Sequence, residues 1–304
     1  MKKIALSLCV YVCATGFGQA QDNPNQILQR EFFLKTAKSV KVEIDCPLGH
    51  LGVKTSDQGP LAVLDLKNSL RNFEYKVSYR ESGGEGELRV GGSGGSSPEK
   101  DIESFSDFKK LFGIGEGIGD TNNWRIMLKE AKGLPYDLDL EMGLGDADVE
   151  LGALEMTDLR FNCGLSEATL ALNAPNPRRM NLLKVDNGMG SFNGKLLGNG
   201  NFEDMTVSVG MGSATLDLRG YYTDDADIKV DVGMGSIKLM VPNNMDVEVT
   251  VNSSPFSSVN LIGLVQESKT RYRSQNMGSG RYKLDFNINV GMGSVDLELV
   301  DPTD

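Results

Sequence analysis

The tetrapeptide Gly-Met-Gly-Ser begins at Gly188, Gly210, Gly233 and Gly291. Glycine-rich loops cradle phosphates with their backbone N–H groups, so phosphate is the first chemistry to test. The stretch "GMGSFNGK", Gly188 to Lys195, lacks the required spacing. Met189 stands where the motif needs its first glycine, and Leu196 follows the lysine where Ser or Thr belongs. "GLGDADVEL", Gly143 to Leu151, is similar to the glycine–aspartate nonapeptides of calcium-binding β-rolls. Its corners recur at a much longer period, however, and the later ones carry Ser in place of Asp. An incidental cation near Asp146 and Asp148 is the one metal reading left open. No metal centre and no cofactor are expected.

Paired carboxylates offer a second chemistry, since β-helix hydrolases and lyases set Asp and Glu on an outer sheet face. Asp137, Asp139, Glu141, Asp148, Glu150, Asp217, Asp231, Asp296 and Glu298 all fall at outward positions by alternation. The arginines such an enzyme would group with them, Arg160, Arg178, Arg179 and Arg219, are scattered. Outward charges are also what any solvated strand shows. His50 is the only histidine, which leaves a catalytic triad or a His-rich metal site without partners. Cys46 and Cys163 occupy the same strand position in different repeats, with the repeat of Met142 between them. Strands stack about 4.8 Å apart, so the two thiols are too distant for a disulfide and are expected to be free and buried. Trp124 is expected in the core. Tyr221 and Tyr222 follow Gly220 in a turn and are the candidate exposed contact residues.

The residues between these candidates define the scaffold. Corners fall at Gly143, Gly164, Gly188, Gly210 and Gly233, spaced 21 to 24 residues apart, and then at Gly291 after a longer step. Their second glycines are Gly145, Gly190, Gly212, Gly235 and Gly293. Before each corner, apolar residues occupy alternate positions, as in Ile228, Val230, Val232 and Met234. After it they resume with the opposite parity, as in Ile237, Leu239 and Val241. Alternation marks a strand with one buried face, and a parity switch marks a bend. An earlier copy is visible at "CPLGHLG" around Leu48. The pattern predicts an all-β, single-stranded β-solenoid of about 22 residues per rung. It also predicts an internal column of Leu48, Leu144, Leu165, Met189, Met211, Met234 and Met292 at the corners.

The flanks read differently. Lys2 and Lys3, the apolar run Ile4 to Phe17, and Gly18-Gln19-Ala20 form a secretory leader pattern cut near Ala20, spanning residues 1–20. Residues 21–37 read as an N-terminal cap segment, and 38–301 as the solenoid, with an irregular insertion at about 61–123. Within the insertion, "FEYKVSYRESGGEGELRV" reads as a hairpin. Loops and a short helix opened by Ser97-Pro98 fall near 91–123. The net charge is −11, and it becomes more negative once the two leader lysines leave. Such a chain should not track nucleic acid or anionic lipid. No stretch after the leader is apolar enough to span a bilayer.

The stretch "NNWRIMLKEAKGLPYDLDLEMGLGDADVELGAL" resembles the start of the toast-rack, or LiaF-like, family. It carries Trp-x-x-x-Leu, Pro-x-x-Leu-x-Leu, Gly-x-Gly and a Leu/Gly turn in that order. "NAPNPRRM", "LLGNGNFEDMTVSVGMGSATLDLRG" and "IKVDVGMGSIKLMVPNNMDVEV" continue the resemblance, which covers about residues 122–300. It implies a right-handed β-solenoid of adhesin type placed in the bacterial envelope, and it carries over no catalytic residues. Family members of the cell-wall stress response carry membrane helices ahead of the solenoid, where this chain shows a leader.

The expected function is a non-enzymatic, extracytoplasmic envelope module acting in adhesin-like or scaffold interactions. Its partner would be an envelope protein or glycan, met through the loops at Gly91–Asn123 and Gln266–Gly280. Two alternatives stand beside it: a polysaccharide-acting enzyme on the outer carboxylates, and an accessory of an envelope stress response. The sequence leaves the oligomeric state open, because solenoid ends can pair edge to edge.

Overall fold

The computed structural model describes residues 26–69, 73–94, 122–275 and 277–302. The leader, and the short helix expected after Ser97, lie outside the described residues. The chain forms β1 (Gln26–Phe32), β2 (Ser39–Ser56), β3 (Ala62–Asn68), β4 (Phe73–Ser82), β5 (Glu85–Gly94), β6 (Asn122–Lys129), β7 (Tyr136–Leu151) and β8 (Met156–Leu172). It continues with β9 (Met180–Asn187), β10 (Ser191–Lys195), β11 (Phe202–Val209), β12 (Ser213–Asp217), β13 (Ala226–Val232) and β14 (Ser236–Pro242). Last come β15 (Asp246–Ser253), β16 (Ser258–Ile262), β17 (Leu264–Gln266), β18 (Arg271–Ser274), β19 (Lys283–Val290) and β20 (Ser294–Val300). Among the described residues the only helix is a short 3-10 turn at Leu197–Gly200.

Each rung is a strand, a glycine corner and a second strand. Long strands β2, β7 and β8 run through their corners, while later rungs split into pairs such as β9 and β10. Rungs stack in parallel. Before the corner the order is β2, β7, β8, β9, β11, β13, β19, β15. After it, β8 is followed by β10, β12, β14, β20 and β16. The register stacks one apolar column from Val42 through Leu138, Leu159, Leu183, Met205, Ile228 and Phe286 to Val249. All are buried. Each such side chain contributes about 1.5–3 kcal/mol by leaving water, which is why strict alternation decides the fold.

The long step before Gly291 is a reversal of stacking order. The rung of β19 and β20, last in sequence, lies directly on that of β13 and β14. The earlier segments β15 and β16 lie outside it as the terminal rung. Gly291 and Gly233 are therefore neighbours in space. The insertion at 61–123 contributes the described strands β3, β4 and β5, which build the other end together with β6. β5 pairs parallel with the first part of β2, and β6 with the second. The expected hairpin is β4–β5. β3 lies antiparallel on β6, and β1 lies antiparallel on β3 as the outermost strand there. The chain after β1 is tied to β4. The Glu81 carboxylate accepts hydrogen bonds from Tyr79 Oη and from the backbone N–H groups of Lys35, Thr36 and Ala37. These bonds hold it down at about 2, the tyrosine contributing most.

The corners correct the expected internal column. Met189, Met211, Met234 and Met292 are 53%, 55%, 54% and 60% exposed. Leu48, Leu144 and Leu165 are only partly buried. The parity switch falls one step earlier than the apolar pattern suggests. Val232 points inward, Gly233 and Met234 both face out, and Gly235 takes the inner position before Ile237. The reason is space. A Cβ built on Gly235 would stand 2.3 Å from the Gly212 carbonyl oxygen, and one on Gly293 would stand 2.2 Å from that of Gly235. On Gly190 it would stand 1.6 Å from the Ser166 carbonyl oxygen. At these three corners only hydrogen fits. Unusual dihedrals explain Gly145, with φ of 132°, and its in-register counterpart Gly49, with φ of 119°, but not the later repeat glycines.

The outer glycine of each pair is less confined, since a Cβ on Gly233 would meet the Gly210 carbonyl oxygen at 2.9 Å. Gly235→Ala should therefore destabilise more than Gly233→Ala, the former toward the upper end and the latter toward the lower end of about 1–3 kcal/mol. Paired thermal or denaturant unfolding checks this. Equal losses would show that the inner corner has room for a methyl group.

Candidate binding groove

The residue two before each corner glycine points out of the first strand layer. In stacking order these positions include Ser208, Asp231, Asn289 and Asn252, all in register. They form a polar ladder in which Asp231, Asn289 and Asn252 are joined by side-chain hydrogen bonds. Asn289 Nδ2 donates to Asp231 Oδ1 at 2.7 Å, and Asn252 Nδ2 donates to Asn289 Oδ1 at 3.1 Å. Lys229 Nζ lies 2.9 Å from Asp231 Oδ2. Partial burial pushes the Asp231 carboxyl up. The hydrogen bonds from Asn289 and Lys229, with the lysine charge, outweigh it and hold the carboxyl below its ordinary range.

These side chains line a groove of about 960 Å³. Its other lining residues include Val251 and Val259 from the terminal rung, and Lys269, Thr270 and Tyr272 from the β17–β18 segment. That segment is held because β18 pairs antiparallel with β15, placing Tyr272 opposite Val249. The loop expected at Gln266–Gly280 to make contacts is thus brought onto the sheet in part. The groove offers hydroxyl, amide, carboxylate and ammonium groups in a row, while Tyr272, opposite Val249, and the two valines pack toward the core. This is a surface for hydrogen-bonding a polar, extended ligand.

The outer carboxylates expected by alternation are mostly paired. Asp137 Oδ1 lies 2.8 Å from Arg160, Glu150 3.2 Å from Lys54 and Glu298 3.5 Å from Lys238. Asp217 is a correction. It is buried at 6% exposure, where Arg219 Nε and Nη2 donate to both its oxygens at 2.9 and 2.8 Å. Tyr222 is a second correction. It is 5% exposed, donates to the Leu218 carbonyl at 2.7 Å and packs edge-on against Phe202. Burial raises its hydroxyl far above the ordinary range. Tyr221 stays exposed. The two do not form a joint contact patch. Trp124 is fully buried, its Nε1 donating to Asn122 Oδ1 at 2.7 Å. Cys46 and Cys163 are free and buried, with Met142 in register between them. Burial pushes both thiols up to about 12.

Near the opposite end, His50 lies beside Asp146 and Asp148 at the corner of β2 and β7, and ligand atoms of the three lie within 4.8 Å of one another. His50 Nδ1 is hydrogen-bonded to Asp146 Oδ2. The sequence had suggested the two aspartates but not the histidine, which the register of β2 on β7 supplies. Of the groove, only Asp231 stood out in the sequence. Ser208 and Asn289 were legible as the residue two before each corner, but Asn252 was not, because stacking order is not sequence order.

The chain belongs to the toast-rack family. The family model described as the N-terminal domain of toast_rack, DUF2154, matches residues 18–194. A second model, the C-terminal domain of LiaF of the cell wall-active antibiotics response, matches residues 198–297. No curated protein matches the chain. Among solved structures, it is similar to a "putative cell adhesion protein" from Clostridium sporogenes ATCC 15579 at 17% identity and a TM-score of 0.44, over 91% of this chain and 100% of that one. It is also similar to a "putative adhesin" from Bacteroides fragilis NCTC 9343 at 12% identity and a TM-score of 0.33, over 90% and 97% of the two chains. Among the described residues no helix is long and apolar enough to cross a membrane.

As the only histidine, His50 gives one unambiguous imidazole titration by NMR. The hydrogen bond to Asp146 favours the charged ring, so its midpoint should lie above 6.5. A raised folded value stabilises the fold fully below the unfolded midpoint, and the gain fades as pH rises through the folded one. Asp146→Asn should bring the midpoint back down. A midpoint that ignores this substitution would mean that the Asp146 contact does not govern the ring.

Proposed function

We propose that this chain is a non-enzymatic interaction module of the bacterial cell envelope, working outside the cytoplasm, and that its ligand is a hydroxyl-rich envelope glycan. The observation that carries this reading is the in-register ladder of Ser208, Asp231, Asn289 and Asn252 along the groove, flanked by Lys269. A glycan chain presents alternating donors and acceptors, which match a row of hydroxyl, amide, carboxylate and ammonium groups. The leader pattern at residues 1–20 supports export. Membership of the toast-rack family supports an envelope setting. The pairing of Asp137, Glu150, Asp217, Asp231 and Glu298 with lysine or arginine favours binding over catalysis at those positions, because a catalytic pair needs its acids free to exchange protons.

A second reading, an accessory of an envelope stress response, draws on the LiaF-like match over residues 198–297. It is compatible with glycan recognition, since cell-wall damage alters the glycans on display.

The test is retention of the purified protein on immobilised envelope polysaccharides, with products followed in solution. Binding is expected without release of new sugar ends. Asn289→Ala and Lys269→Ala should each weaken it about tenfold, the cost of losing one or two hydrogen bonds. Retention unchanged in both variants would place recognition elsewhere, and steady release of cleaved sugar would make the protein an enzyme.

A further inference from the structure

The corner methionines have no structural task. Stacking explains the glycines on either side, and Gly190, Gly212, Gly235 and Gly293 take the inner positions. Met189, Met211, Met234 and Met292 each stand more than half exposed. Any residue compatible with the bend would serve the fold there, and a polar one would cost less in water. Four rungs nevertheless carry the same thioether.

These rungs are consecutive in space. Met211 N–H donates to the Gly188 carbonyl at 2.8 Å, Met234 to Gly210 at 2.8 Å and Met292 to Gly233 at 2.8 Å. The last contact exists only because the stacking order is reversed, bringing Met292 beside a residue far from it in sequence. Beyond the methionines the same edge continues with the partly buried Leu165 on one side and the exposed Phe256 on the other. Sulfur is thus confined to an unbroken run of four rungs. Parallel strands hold neighbouring rungs about 4.8 Å apart, and a metal–sulfur bond is roughly 2.3 Å. Two adjacent thioethers can therefore hold one ion in line between them with almost no change of spacing. Met is unbranched and has three rotatable bonds, so a third sulfur can swing in.

We propose that this ridge is a binding site for a soft monovalent metal ion, Cu(I) or its analogue Ag(I). Thioethers are soft, neutral ligands that select Cu(I) over hard divalent cations. They lose no proton on binding, so affinity should be nearly independent of pH from neutral down to mildly acid conditions. The acidic chain, with a formal net charge of −11, favours approach of a cation. The two thiols of the described residues are poor competitors. Cys46 and Cys163 are 0% and 3% exposed, and burial keeps them protonated.

The experiment titrates the full chain with Ag(I), which needs no reductant, and with Cu(I) against a competing chelator without oxygen. Binding is read by calorimetry and native mass spectrometry, and the methionine methyl groups by NMR. Saturable binding of at least one ion is expected, with shifts confined to the methyls of Met189, Met211, Met234 and Met292. Met211→Leu with Met234→Leu should weaken it at least tenfold, and leucine at all four positions should abolish it. Leucine keeps the ridge apolar, and because the positions are exposed the melting temperature should not move, so a loss reports sulfur and not folding. Absence of binding in the unaltered protein, or binding that survives the fourfold leucine variant, would overturn the proposal.

Discussion

Where one rung turns, the carbonyl oxygen of its neighbour occupies the place a Cβ would need. This contact between backbones at the inner corner is the constraint on which the rest depends. Gly190 approaches Ser166, Gly212 approaches Gly190, Gly235 approaches Gly212, and Gly293 approaches Gly235. Each approach fixes the height of a rung, and parallel pairing carries that height along both strands. The apolar columns follow, because a register set at the corner aligns Leu183, Met205, Ile228 and Phe286 with no slack. A one-residue slip would turn every such side chain outward, which makes the register nearly self-enforcing.

The same constraint separates what the fold decides from what it leaves free. Inward positions must be apolar, and the inner corner must be glycine or, as at Ser166, something small. Outward positions need only be compatible with a strand. The polar ladder of the groove and the methionine ridge both occupy that free surface. Chemistry placed there inherits the strand spacing, so functional groups of adjacent rungs are held in order without a dedicated scaffold.

Much of this architecture was legible in residue order. Alternation marked the strands, the recurring glycines marked the corners, and "CPLGHLG" revealed the rung of β2. The buried, unlinked thiols followed from strand position alone. The direction of the corner methionines did not. An inward glycine leaves no apolar mark, so the eye assigns the inner place to the nearest large apolar residue, and Met234 was taken for core in place of Gly235. Tyr222 misled for the opposite reason. A turn residue with a hydroxyl reads as exposed until the Leu218 carbonyl is seen to accept its proton. The order of the last rungs was hidden because parallel pairing between distant segments has no local signature. Val230 could stack on Ile288 or on Val251 equally well by composition.

That reversal bears directly on the surface. Were stacking order the same as sequence order, β15 and β16 would separate Met234 from Met292, and Ser254 and Phe256 would interrupt the sulfur run. Asn252 would likewise lie between Asp231 and Asn289, in place of completing the ladder at its end. Inserting the last rung beneath the terminal one joins like residues to like on both sides of the corner. Gly210, Gly233 and Gly291 line the groove and each immediately precedes a ridge methionine. The ladder and the ridge are therefore two flanks of one edge, set three residues apart along each of the three rungs they share.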